Sequence, residues 1–211
     1  MRRFRWVQRF RQSRGYGVHS PFAYELIRKV LSSGMHYYAF DEIADYLAAH
    51  HPEISLNLPL HHLSFRLVNH FKAKEILEIH SGNGVNSLYL SSPGRDIHCT
   101  CVEERAEQIT FARELTVPRG SQFTILNQLP EEGTYDAIFI YHGEGRSLSL
   151  DSLMRLSSPD TFWVVYPVNT PLSKQFWRNI VNDERVGITF DKKDIGIAFL
   201  RQTYSKLHYF I

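Results

Sequence analysis

Glu75–Leu90 reads EILEIHSGNGVNSLYL. Ile76, Leu77 and Ile79 form a short, β-branched apolar run of the kind that is buried on both faces of a parallel sheet. Ser81-Gly82-Asn83-Gly84 follows, and its glycines let the backbone bend tightly and approach a ligand closely. Val85, Leu88 and Tyr89 then recur at helical spacing. Strand, glycine turn and helix in this order make the first unit of a nucleotide-binding α/β fold. A βα turn without a ligand has the same outline, so the residues downstream decide.

A second apolar run from Ile97 to Val102 ends in Glu103-Glu104. That puts a carboxylate about 20 residues beyond the turn, where nucleotide-binding folds position the group that holds a ribose. On these residues the chain resembles the class I S-adenosylmethionine-dependent methyltransferases. Members of that family end their first strand in an acidic residue followed by alternating glycines, a pattern that Glu78, Gly82 and Gly84 match. The lead-in RLVNHFKAKEILEI, Arg66–Ile79, is similar to that of its small-molecule enzymes. The opening RGYGVHSPF, Arg14–Phe22, is similar to that of bacterial methyltransferase-like proteins.

The resemblance spans roughly residues 55–200. It implies a Rossmann-like α/β fold, with a mostly parallel sheet that closes on an antiparallel β-hairpin and an N-terminal helical cap. It also implies S-adenosyl-L-methionine as cofactor, with Glu78, His80, Ser81, Gly82, Gly84, Glu103, Asn127 and Tyr141 around it. Residues 1–54 would then be a basic arm and helical cap, and residues 55–211 the methyltransferase domain. Two positions depart from the family pattern. His80 stands where the first motif glycine is expected, on the path of the cofactor's methionine portion. Tyr141 stands where many members carry an acid at the end of the fourth strand.

The 211 residues amount to one domain with an appendage, and 43% hydrophobic with 22% charged residues is ordinary for a globular protein. No apolar run approaches membrane-spanning length, and no signal-peptide core follows the basic start. Cys99 and Cys101 alternate along one strand and share a face, which suits neither a disulfide nor, with two thiols alone, a metal. Reduced, buried thiols point to a cytoplasmic protein. The net charge of +2 hides an asymmetry: residues 1–14 hold six arginines and no acid, leaving 18 basic against 22 acidic residues elsewhere. Interleaved with Phe4, Trp6, Val7 and Phe10, these arginines could grip nucleic acid or an anionic membrane surface. Alternatively the arm docks its aromatics on the domain and leaves its arginines in water.

Ser20-Pro21 caps and opens a helix over Pro21–Leu31, with Phe22, Leu26, Ile27 and Val30 inward. Helices over Asp41–His50 and Leu60–Phe71 are predicted next. Tyr37, Tyr38 and Phe40 either cap the cofactor cleft or fill a joint between helices and sheet. His61, His62 and His70 have no acidic partner at helical spacing and read as surface or packing histidines. After Glu103 come a helix to Leu115, a turn at Pro118-Arg119-Gly120, a strand over Gln122–Leu126 and a fourth strand over Tyr135–Tyr141. A glycine-rich loop, His142-Gly143-Glu144-Gly145, follows it. A helix near Leu150–Leu156, a fifth strand near Phe162–Tyr166 and a helix from Pro171 complete the alternation, the last with Leu172, Phe176, Trp177 and Ile180 inward.

Val186, Ile188 and Phe190 alternate, and so do Ile195, Ile197 and Phe199, across a turn at Asp191–Asp194. That is a β-hairpin. The hairpin, and Ser87 in place of the third small residue of the dinucleotide fingerprint, count against NAD. Lys206–Ile211 adds an edge strand or a terminal arm.

With the strand order of the family, the first and fourth strands are neighbours, and His80 and His142 face one cleft. His142 is then the candidate general base toward a hydroxyl, amine or thiol. The two histidines could instead hold a metal, though Tyr141 withholds the acid that metal-dependent relatives supply, or be incidental loop residues. No Asn/Asp-Pro-Pro-aromatic motif follows the fourth strand, which argues against methylation of exocyclic base amines and for a small-molecule substrate or a protein side chain. Three functions fit these residues: a methyltransferase, a methyltransferase-fold protein that binds without turnover, and a nucleic-acid binding or modifying protein that uses the arm.

Overall fold

The computed structural model describes residues 10–13, 16–116, 122–143, 148–201, 203 and 205–211. Most of the arginine-rich arm, the turn at Pro118-Arg119-Gly120, and Glu144-Gly145 lie outside the described residues. In chain order the first elements are α1 (Pro21–Leu26), α2 (Tyr38–His50), α3 (Leu58–Phe71), β1 (Glu75–Ile79), α4 (Val85–Ser91), β2 (His98–Val102), α5 (Ala106–Thr116) and β3 (Phe123–Leu126). Then come β4 (Tyr135–Tyr141), α6 (Leu150–Arg155), β5 (Ser157–Tyr166), α7 (Pro171–Asn182), β6 (Ile188–Lys192), β7 (Ile195–Phe199) and β8 (Leu207–Phe210). The chain divides into two compact units, Gly34–Leu129 on its own and Met1–Ser33 together with Pro130–Ile211.

In the continuous unit the strands run parallel in the order β3-β2-β1, with Glu78 opposite Cys101 and Val102 opposite Leu126. Every residue of β1 after Glu75 is buried, as its continuous apolar run predicts. Phe40, Ile43 and Leu47 of α2, Phe65 of α3, Val85, Leu88 and Tyr89 of α4 and Leu115 of α5 share one buried cluster. Burying such side chains is worth about 1.5–3 kcal/mol each, so this cluster holds the helices together. The α2 aromatics therefore divide: Phe40 goes into the core, while Tyr38 is 89% exposed. Two of the three histidines of α3 pack, while His70 is exposed. His62 stacks on Phe40 at 3.9 Å between ring centroids, and His61 stacks on Tyr89 at 5.0 Å. Burial, with His62 beside it, drives the His61 pKa down to about 4 and keeps the ring neutral.

In the other unit the order is β4-β5-β7-β6-β8. β4 and β5 are parallel, β7 is antiparallel to both β5 and β6, and β8 adds parallel to β6. The mostly parallel sheet thus closes on the predicted hairpin, and Lys206–Ile211 contributes an edge strand. β5 starts at Ser157 rather than near Phe162, because Ser157 already pairs with Tyr135 before the register shifts to Ala137 opposite Phe162. Thr161 holds that irregularity: its Oγ1 donates to the Tyr135 carbonyl at 2.6 Å and accepts from the Ser158 N–H at 2.8 Å.

The inward stripe of α7 is Ser173, Phe176, Trp177 and Ile180; Leu172, predicted inward, is 53% exposed. Position 172 falls outside the i, i+3, i+4, i+7 series that Ser173 begins. Ser20 caps α1 as predicted, its Oγ accepting from the Ala23 N–H at 3.3 Å. The helix expected through Leu31 changes at Ile27 into a π-helical turn, closed by the Ser32 N–H to the Ile27 carbonyl at 2.8 Å. Phe22 meets Phe199 edge-on at 5.1 Å, and Lys192 Nζ donates to the Leu31 carbonyl at 2.6 Å. No helix among the described residues is long and apolar enough to cross a membrane.

Candidate active site

Between β1 and α4 the chain passes through three left-handed residues, His80 at φ +59°, Gly82 at +60° and Gly84 at +80°. Gly84 has two reasons to be glycine. Beyond its φ, a Cβ there would lie 3.1 Å from the Cβ and 3.4 Å from the Cα of Ala112 in α5. The turn closes on itself through the Gly84 N–H to the Ser81 carbonyl at 3.2 Å and is tied to β2 by the Ser81 N–H to the Val102 carbonyl at 3.1 Å. His80 is buried at a backbone position that costs a non-glycine residue about 1–2 kcal/mol. That is a physical reason for the glycine that the family pattern expects there.

Glu103 lies one residue past β2 and is 1% exposed. One carboxylate oxygen accepts from the N–H groups of Glu104 at 3.1 Å and Arg105 at 3.0 Å and from Arg105 Nε at 2.9 Å. The other accepts from the Gly82 N–H at 2.9 Å and Arg105 Nη2 at 3.2 Å. Burial pushes this carboxyl up, but the Arg105 guanidinium and the N–H groups of Arg105 and Gly82 outweigh it and hold the pKa at about 2. The acid predicted to hold a ribose is therefore ionised, fixed to the glycine turn and covered by an arginine.

Glu78 is buried in the same unit. It accepts from the Ser87 hydroxyl and from Asn86 Nδ2 at 2.8 Å, both in the first turn of α4. Burial raises its pKa to about 7, with those two bonds opposing. Glu78, Cys99 and Cys101 each bring a possible ligand atom within 4.8 Å of the others, and the two Sγ atoms are 3.8 Å apart. The Cys101 hydrogen bond and burial push the Cys99 thiol well above its ordinary range, so it stays protonated. Such protons make the trio a hydrogen-bonded core cluster. Asn127 is exposed at the end of β3.

Tyr141 and His142 belong to the other unit. Tyr141, the last residue of β4, is 49% exposed with its ring 5.5 Å from Tyr166. His142 is buried. Its N–H donates to the Tyr166 carbonyl at 2.7 Å, its carbonyl accepts from Ser173 Oγ at 3.0 Å, and its ring stacks on Phe176 at 4.4 Å. Nδ1 has no hydrogen-bond partner among the described residues, and burial lowers the pKa, so the imidazole is neutral.

The fold gathers the predicted Glu78, glycine turn and Glu103 in one unit, whose sequence signals were plain. The predicted set lacks Arg105, whose signal was a cation two residues after the acid in Glu103-Glu104-Arg105, and it lacks Asn86 and Ser87, which hold Glu78. The turn fits a bound S-adenosylmethionine: Gly82 brings no side chain to the ionised Glu103 carboxylate that its N–H bonds. One condition applies. Arg105 must turn aside for a ribose to reach Glu103.

No protein-family model and no curated protein matches the chain by sequence. Solved structures do match by fold. An S-adenosylhomocysteine-bound methyltransferase from Podospora anserina superposes with a TM-score of 0.59 at 15% identity, over 86% of this chain and 96% of that one. The O-methyltransferase from Bacillus cereus in complex with S-adenosylhomocysteine gives 0.55 at 16% identity, over 79% and 92%. TomG from Streptomyces achromogenes, an O-methyltransferase of tomaymycin synthesis in complex with S-adenosylmethionine, gives 0.54 at 16% identity, over 79% and 91%. From the glycine turn, the strand orders and these superpositions, the chain has the fold of the class I S-adenosylmethionine-dependent methyltransferases.

Proposed function

We propose that this protein is an S-adenosylmethionine-dependent methyltransferase acting on a small molecule. The observation that carries the reading is the Ser81–Gly84 turn, left-handed at Gly82 and Gly84 and bonded through the Gly82 N–H to the ionised Glu103. Glu103 and the turn would hold the cofactor's ribose, with His80 as further lining. When bound, the sulfonium supplies an already activated methyl group, so positioning of the acceptor provides much of the rate. His142, neutral because it is buried, takes the proton from the acceptor hydroxyl. The methyltransferases among the similar structures support this class of reaction.

The test is calorimetric titration of the purified chain with S-adenosylmethionine and S-adenosylhomocysteine. Saturable binding that is lost in Glu103→Ala supports the reading. Absence of binding by folded protein overturns it. The second reading, a methyltransferase-fold protein without turnover, is favoured by the Arg105 clamp on Glu103 and by His80 in a glycine position. It predicts no binding until one of these is removed.

A further inference from the structure

The unit that carries β4 to β8 has a feature the methyltransferase reading does not use. A cavity of about 510 Å³ is lined by α7, β8 and the β6–β7 turn. Lys174 and Arg178, one helical turn apart on α7, line one part and Lys193 of the turn another; Asp191 is the one carboxylate among the lining residues. All three cations are exposed at its mouth. Trp177 and Phe210 supply flat apolar walls. Trp177 is held in place because it packs over Gly196, where a Cβ would come within 2.7 Å of the indole. Phe210 meets His208 edge-on at 4.5 Å.

Lys193 sits at φ +57° as the first residue of a two-residue hairpin turn, since Lys192 pairs directly with Ile195. Glycine is the residue favoured at such a position, and a lysine there costs about 1–2 kcal/mol. The fold thus keeps a cation at the cavity where a glycine would be easier. The volume is that of a site for a small organic molecule rather than for a bare ion. Three cations facing one carboxylate favour an anion, and the aromatic walls favour a ring.

We propose that this cavity binds a small aromatic anion, a ring bearing a phosphate or carboxylate, with the charge held by Lys174, Arg178 and Lys193 and the ring against Trp177 and Phe210. The site stands apart from the cofactor reading, and its test omits S-adenosylmethionine. The full chain is titrated calorimetrically with 1-naphthyl phosphate, and separately with 1-naphthol and with inorganic phosphate. Expected is saturable, salt-sensitive binding of 1-naphthyl phosphate, with both partial probes about tenfold weaker or more. Lys174→Ala/Arg178→Ala, at exposed positions, should weaken it by about tenfold with an unchanged melting temperature. Lys193→Gly should weaken binding while raising the melting temperature, which separates loss of the site from loss of the fold. Equal affinity for 1-naphthol, full affinity in the double variant, or no saturable binding of 1-naphthyl phosphate would each overturn the proposal.

Discussion

Arg105 lays its guanidinium as a fork across the Glu103 carboxylate, Nε 2.9 Å from one oxygen and Nη2 3.2 Å from the other. A ribose would need those same oxygens, so the ion pair and a cofactor compete for one carboxylate. The arginine side chain is 57% exposed and the glutamate 1%, which makes arginine the partner that moves.

Arg105→Ala is therefore expected to tighten S-adenosylmethionine binding by about fivefold, since an ion pair with one exposed member is worth about 1 kcal/mol at most. Calorimetry on the two proteins measures this. Weaker binding in the variant would instead place Arg105 among the groups that hold the cofactor.

His80→Gly relieves the left-handed backbone at φ +59° and removes an imidazole from the glycine turn. Cofactor affinity should rise, and stability should change by less than about 1 kcal/mol because lost burial offsets relieved strain. A fall in affinity would show that the imidazole contributes to binding.

Gly84→Ala meets both the φ of +80° and the Ala112 Cβ at 3.1 Å. Destabilisation by about 2 kcal/mol or more is expected, read as a lower urea midpoint at unchanged slope. A variant as stable as the parent would mean that α5 yields easily at this contact.

Glu78 links stability to pH. Its folded pKa of about 7 lies above the ordinary 4.5, so the native state holds the proton more tightly than the unfolded chain. This contribution is complete below pH 4.5 and is lost as pH rises to about 7, a change on the order of 3 kcal/mol. Glu78→Gln should flatten that slope in urea titrations at pH 5 and 8. An unaltered slope would assign the pH dependence to other groups.

His142 should show its role in a pH profile of turnover. Its pKa is lowered from 6.5 by burial, so activity that uses it as base rises at acidic pH and is level above 6.5. His142→Gln should reduce kcat by about a hundredfold with little change in KM. Equal losses in kcat and stability would mark the ring as packing against Phe176 only.

Much of this was legible in the chain because local pattern and tertiary environment agree. β1 is rich in apolar residues because both its faces are covered, and the hairpin strands carry Ile188 and Phe190 on one side of the turn and Ile195, Ile197 and Phe199 on the other, all of them buried. Where they disagree, the sequence misleads. Ser157-Ser158-Pro159-Asp160 has loop composition, yet β4 recruits Ser157 as a partner, so the start of β5 was hidden. Leu172 looks like a core residue by type but stands at the mouth of α7, where Ser173 takes the inward position to bond the His142 carbonyl. In the site, Glu103 announced itself by its distance from the glycines. Its clamp by Arg105 depends on side-chain directions that no spacing rule encodes.

The division of the chain sets an order for its making. Gly34–Leu129 is one uninterrupted segment, whereas the other unit joins Met1–Ser33 to Pro130–Ile211 through contacts such as Phe22 with Phe199 and Gln12 with the Phe210 N–H. During synthesis the whole of the uninterrupted segment is clear of the ribosome before the last strands are translated, and it is expected to begin folding first. The leading segment must wait for the last strands to be translated, so α1 spends nearly the whole of translation without the surface it will cover.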